Sequence, residues 1–128
     1  MKKKILIIDD NAEIAELTKK YLERRGYDVK AAGSAVLGLN LLSNDSFDVL
    51  ISDINMPEIN GEDFVKKAKI LYPNLVILLI TGYVSFDKTQ KAQEVGAHEC
   101  LTKPVELEKL CVSIASGLKA AEEKRKSI

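Results

Sequence analysis

Asp9, Asp10, Asp53, Thr81 and Lys103 are the side chains of this 128-residue chain best equipped for chemistry. Each closes, or directly follows, a short apolar run: the first run ends in Asp9-Asp10, the third in Asp53, the fourth in Thr81-Gly82 and the fifth in Thr102-Lys103-Pro104. Three carboxylates within reach of one another repel, and one stays protonated unless a cation joins them. Oxygen-only ligands, with two or three carboxylates and waters, suit Mg²⁺. A carboxylate is also a nucleophile toward phosphorus, giving an acyl phosphate. A metal ion and an ammonium neutralise charge on a transferred phosphoryl group, and a hydroxyl donates a hydrogen bond to its oxygens.

The elements that position these groups follow from hydrophobic patterning. The runs Lys4-Ile8, Phe47-Ser52 and Leu75-Ile80 are apolar without alternation, as in strands of a parallel sheet buried on both faces. Asp28-Ala32 and His98-Leu101 suit strands nearer an edge. Between them lie helices. Asn11 caps a segment Ala12-Arg25 whose Ile14, Leu17, Tyr21 and Leu22 share one face, and Gly26 supplies a left-handed stop. Ser34 caps a second helix carrying Val36, Leu37, Leu39, Leu41 and Leu42, and a third runs from about Glu62 to Leu71. A stretch near Phe86-Val95 is the least amphipathic, and the last helix repeats Leu107, Leu110, Cys111, Ile114 and Leu118 at helical spacing.

Five β-α units in succession predict an α/β fold, a parallel sheet with helices on both faces. In such sheets ligands sit beyond the carboxyl ends of the strands, where the five chemistry-bearing residues fall. Tyr21 and Phe64 read as core. His98, the only histidine, reads as an edge residue without a base or metal partner at suitable spacing, and Tyr83 as either a loop residue or one that tunes water access.

The series Ile7-Ile8-Asp9-Asp10-Asn11, Asp53-Ile54-Asn55-Met56-Pro57 with Gly61, Thr81-Gly82, Gly96-Ala97 and Lys103-Pro104 strongly resembles the CheY-like receiver domains of response regulators, over roughly residues 3 to 119. The resemblance implies a doubly wound, flavodoxin-like three-layer sandwich of five strands in the order 2-1-3-4-5 with five helices. It implies that residues 1–122 form the receiver domain and 123–128 a charged C-terminal tail. It casts Asp53 as the phosphoacceptor and Asp9, Asp10, Asp53 and the backbone carbonyl of Asn55 as the Mg²⁺ site. Thr81 matches the switch hydroxyl, Lys103 the ammonium that pairs with phosphate, and the Lys103-Pro104 peptide is expected to be cis. The implied partners are a sensor histidine kinase or a histidine phosphotransfer protein, and a downstream protein target or fused output domain. A homodimer through the helix near 86–95, the fifth strand and the last helix is a further expectation. Two positions depart from the family: Cys100 stands where an aromatic usually precedes the lysine by three residues, and Val105 replaces a frequent Phe. Neither touches the phosphoryl group in the family pattern, so coupling to the surface is what they alter.

Singly, each motif has a bland counterpart. Asp9-Asp10 suits a helix start, Asp53 with Pro57 and Gly61 suits a loop, and Thr81-Gly82 and Lys103-Pro104 are common pairs. That explanation must be repeated independently at four strand ends. An aspartyl phosphatase of the haloacid-dehalogenase type needs D-x-D-x-T after the first strand, and Asp9-Asp10-Asn11-Ala12-Glu13 lacks it. A flavin carrier needs a phosphate loop there, which the acidic pair repels. A turnover enzyme is therefore not expected.

Composition narrows the class further. Lys plus Arg and Asp plus Glu both total 19, giving zero formal net charge and no support for nucleic-acid binding. Cys100 and Cys111 form no metal-ligand spacing, and the longest apolar run, Leu75-Ile80, is strand length. A soluble cytoplasmic protein is predicted, either a stand-alone receiver or the receiver of a longer regulator or hybrid kinase.

Overall fold

A computed structural model describes residues 2–54, 61–82 and 94–126. Its strands are β1 (Lys4–Ile8), β2 (Asp28–Ala32), β3 (Val49–Asp53), β4 (Val76–Thr81) and β5 (Glu99–Thr102), all parallel in the order β2-β1-β3-β4-β5. The helices among the described residues are α1 (Ala12–Arg24), α2 (Ala35–Asn44), α3 (Gly61–Leu71) and α4 (Leu107–Lys126). The helix expected near 86–95 lies outside the described residues except for its end at Glu94 and Val95, so the five-helix count is met by four here.

Successive strand residues point to opposite faces, and each face builds its own core. Leu6, Ile8, Leu50, Ile77, Leu79 and Cys100 pack with Leu42 of α2 and with Phe64, Val65 and Ala68 of α3. Ile5, Ile7, Val49, Ile51 and Leu78 pack on the other side with Ala15 and Leu22 of α1 and Leu110 and Ile114 of α4. Burial on both faces is why these strands read as unbroken apolar runs. Cys100 and Cys111 fall on opposite faces and are not in disulfides.

The helix ends follow the expected cap chemistry. Asn11 and Ser34 accept hydrogen bonds from the backbone N–H groups of Ile14 and Leu37, each at 3.2 Å. Gly26 adopts φ +96° just beyond α1, the left-handed stop that glycine tolerates.

The inward faces of α1 and α2 differ from the sequence reading. On α1 the buried residues are Ala15, Thr18 and Leu22, while Ile14 and Leu17 are 48% and 66% exposed. On α2, Ala35, Gly38 and Leu42 are buried, while Val36 and Leu37 face solvent. A helix lying against a flat sheet packs closest through small residues, and the larger side chains flank or leave the contact. Gly38 makes this concrete: a Cβ there would stand 2.2 Å from Ile8 Cδ1. Phe64 is buried as expected, and Tyr21 packs against the α1 side of the core.

β3 and β4 each end one position later than the apolar runs suggest, so Asp53 and Thr81 are the last residues of their strands. The ladder extends past them: Ile54 N–H donates to Ile80 O at 2.9 Å and Lys103 N–H to Thr81 O at 2.7 Å. Asp53 and Thr81 are therefore held by strand hydrogen bonds rather than by loops. No described helix is long and apolar enough to cross a membrane.

Candidate functional site

Parallel pairing brings the carboxyl ends of β1, β3, β4 and β5 to one rim, and the predicted residues meet there. Asp9, Asp10 and Asp53 each place a carboxylate oxygen within 4.8 Å of the others. Asp9 and Asp53 are buried and Asp10 is exposed, so the cluster opens to solvent on one side. Lys103, arriving from the end of β5, donates a hydrogen bond to Asp53 Oδ2 and forms an ion pair with it. Thr81 is fully buried at the end of β4, in register with Thr102 of β5. The Lys103-Pro104 peptide is cis, as expected. Asn55 and Tyr83 lie outside the described residues.

Asn11 contributes in a way the sequence reading missed. Besides capping α1 with its side chain, it donates its backbone N–H to Asp9 Oδ1 at 2.9 Å. Asp9 in turn donates its own N–H to Ala32 O at 3.1 Å, tying the start of the acidic pair to β2. The signal was present: an aspartate that hydrogen-bonds the backbone two residues on is a common turn device.

The electrostatics carry the strain of gathering like charges. Burial raises the Asp9 carboxyl above its ordinary range against the lowering effect of the Asn11 hydrogen bond, and the negative charges of Asp53 and Asp10 add to the rise while Lys103 opposes it. Burial pulls the Lys103 ammonium down, but its hydrogen bond to Asp53 and the charges of Asp53, Asp9 and Asp10 outweigh this and hold it above the usual lysine range. Among the described residues one ammonium thus stands against three carboxyl groups while contacting only Asp53, and the deficit of positive charge is what a divalent cation corrects. The donor set is all oxygen and rich in carboxylate, which fits a hard ion such as Mg²⁺.

An all-parallel sheet of this order with an acidic rim and a lysine opposite defines a family, and sequence comparison agrees. The chain belongs to the response regulator receiver domain family of two-component signalling, whose match covers residues 5–115. The response regulator protein PilR of Pseudomonas aeruginosa is 33% identical over 118 residues, 92% of this chain but 26% of PilR. The chain thus spans about a quarter of that relative's length. Among solved structures, a CheY-like receiver domain protein from Methanospirillum hungatei JF-1 superposes with a TM-score of 0.90 at 33% identity, covering 97% of this chain and 99% of the other. A response regulator from Burkholderia pseudomallei, described with a phosphorylated aspartic acid, a calcium ion and citrate, has a TM-score of 0.81 at 28% identity, covering 96% of this chain and 72% of that one.

Proposed function

We propose that Asp53 accepts a phosphoryl group from a phosphohistidine of a sensor histidine kinase or histidine phosphotransfer protein. One Asp53 carboxylate oxygen attacks phosphorus, the phosphorus–nitrogen bond breaks, and the histidine ring leaves and takes up a proton. Asp9, Asp10, Asp53 and the backbone carbonyl of Asn55 would hold Mg²⁺. When bound, the ion supplies neutralisation of phosphoryl charge. Lys103 meets the phosphoryl oxygens with its ammonium, and the buried Thr81 hydroxyl donates a hydrogen bond to one of them.

The observation that supports this reading most is the convergence of three carboxyl groups with a lysine that already contacts only one of them, Asp53. That contact singles out Asp53 as the carboxylate whose product, a dianionic phosphoryl group, meets a cation. Phosphorylation then shifts a pre-existing equilibrium, because Thr81 and Lys103 gain a new anionic partner in one state only. The consequence is carried toward β5 and α4, whose strand and helix adjoin Lys103, and there a downstream protein or output domain reads the switch. With Cys100 buried where an aromatic is usual, this coupling proceeds by repacking rather than by swinging an aromatic ring.

The test is incubation of the chain with labelled acetyl phosphate, with Mg²⁺ or with a chelator. Mg²⁺-dependent incorporation that disappears in Asp53→Ala supports the reading. Equal incorporation by Asp53→Ala removes it.

A further inference from the structure

The turn from β1 into α1 is anchored at both ends, and the anchor on the helix side is Asn11. This exposed residue has three of its polar groups engaged. Its side-chain oxygen accepts from Ile14 N–H at 3.2 Å, its carbonyl accepts from Ala15 N–H at 3.0 Å, and its own N–H donates to Asp9 Oδ1 at 2.9 Å. The first two bonds join the residue to the start of α1 and hold it extended, at φ −87° and ψ 101°. That φ sets the direction of the N–H relative to the helix, and the N–H meets the Asp9 carboxylate. Asp9 is held from the other side as well, by its own N–H on Ala32 O at 3.1 Å. Asp10 is thus bracketed by two anchored residues, with a carboxylate oxygen within 4.8 Å of those of Asp9 and Asp53.

We propose that Asn11 is a positioning residue for the Mg²⁺ site, its cap of α1 fixing the turn that presents Asp9 and Asp10 to the ion. A carboxylate that is already oriented loses less freedom when a metal binds. Groups that orient metal ligands from outside are worth about 10- to 100-fold in affinity. The cap acts through the backbone, and the N–H itself survives any substitution but proline, so its share falls at the low end of that range. An amide side chain suits the position. Aspartate caps as well as asparagine, but it would bring a fourth carboxylate to the acidic rim. Coupling between two equilibria is reciprocal, so Mg²⁺ at the rim tightens the first turn of α1. The inference rests on the reading of the rim as a Mg²⁺ site and assigns part of its affinity to a residue outside the ligand set.

Mg²⁺ titrations of the full 128-residue chain, followed by NMR, compare the wild type with Asn11→Ala, Asn11→Ser and Ser34→Ala. Ser34→Ala removes the matching cap from α2, where Ser34 accepts from Leu37 N–H at the same 3.2 Å but no site carboxylate precedes the helix. The expected result is that Asn11→Ala weakens Mg²⁺ binding by about tenfold. Asn11→Ser, which keeps a capping oxygen, stays within about twofold of the wild type. So does Ser34→Ala, although losing a cap lowers its melting temperature as it does in Asn11→Ala. In chelator, the backbone amide at position 11 exchanges about tenfold faster in Asn11→Ala than in the wild type, which locates the change in the turn itself. Asn11→Ala binding within about twofold of the wild type, equal weakening by Ser34→Ala, or unchanged exchange at position 11 overturns the inference while leaving the metal site in place. A wild type that binds no Mg²⁺ overturns the metal site and this inference together, so the two failures are distinct results.

Discussion

Asp9 is buried beside two other carboxyl groups and has one compensating hydrogen bond, from Asn11. Its raised pKa means that the folded chain holds this carboxylate at a cost whenever no cation is present. Asp9→Asn removes the charge and keeps the size and an oxygen acceptor. In metal-free buffer at neutral pH it is expected to raise the melting temperature, by about 3–6 °C if the relief is worth about 1 kcal/mol. In saturating Mg²⁺ the order reverses, because the wild type regains what the variant cannot. Scanning calorimetry of both proteins with chelator and with Mg²⁺ checks this, and a variant less stable than wild type in chelator contradicts it. The residues that matter here were legible in the sequence because five polar side chains ended four apolar runs. The Asn11 hold on Asp9 was signalled only by residue type, an aspartate two residues before a backbone N–H, and the turn between β1 and α1 decides whether that bond forms.

At the scale of elements, the strands were readable almost to the residue and the helix faces were not. Strand patterning is simple when both faces are buried, since every residue counts the same way. Helical patterning weights large apolar residues, so Ile14, Leu17, Val36 and Leu37 read as core, yet they face solvent while Ala15, Ala35 and Gly38 touch the sheet. Gly38→Ala is therefore expected to destabilise the fold by about 1–3 kcal/mol, as overpacking does. Ile8→Val in the same chain removes Cδ1, the nearest atom to the added Cβ, and recovers part of the loss. Additive costs in urea melts would contradict this contact, because a shared clash must couple the two sites. A second element-level device ties the sheet to the end of α2. Asp45 accepts from Lys4 and, at 3.2 Å, from Lys30. The Lys4 hydrogen bond, then the Ser46 backbone N–H, then the Lys30 hydrogen bond hold its carboxyl down at about 2 from 3.8. A depressed carboxyl pKa contributes stability above the unfolded value that is lost as pH falls through the folded value. Asp45→Asn should therefore lower stability slightly at neutral pH and flatten the fall between pH 3.8 and about 2, so that the two proteins converge at the acid end. Parallel acid titrations followed by circular dichroism check this, and superimposable acid limbs would show that the pair contributes nothing.

At the scale of the whole molecule, the two cores lie on opposite faces of one sheet and the acidic rim closes one end of it, so ligand binding at the rim stabilises the entire chain. An ion that binds only the folded state adds RT ln(1 + [L]/Kd), about 2.7 kcal/mol at a hundredfold excess over Kd. The melting temperature should rise with the logarithm of Mg²⁺ concentration in the wild type and stay flat in Asp53→Ala, and a flat wild-type response would remove the metal from the account. The central claim is that Asp53, and neither Asp9 nor Asp10, takes the phosphoryl group. Borohydride reduces an aspartyl phosphate to homoserine, so reaction with acetyl phosphate and Mg²⁺, reduction, and peptide mass spectrometry locate the acceptor directly. The account predicts homoserine at position 53 alone; homoserine at position 9 or 10, with position 53 unmodified, would contradict it.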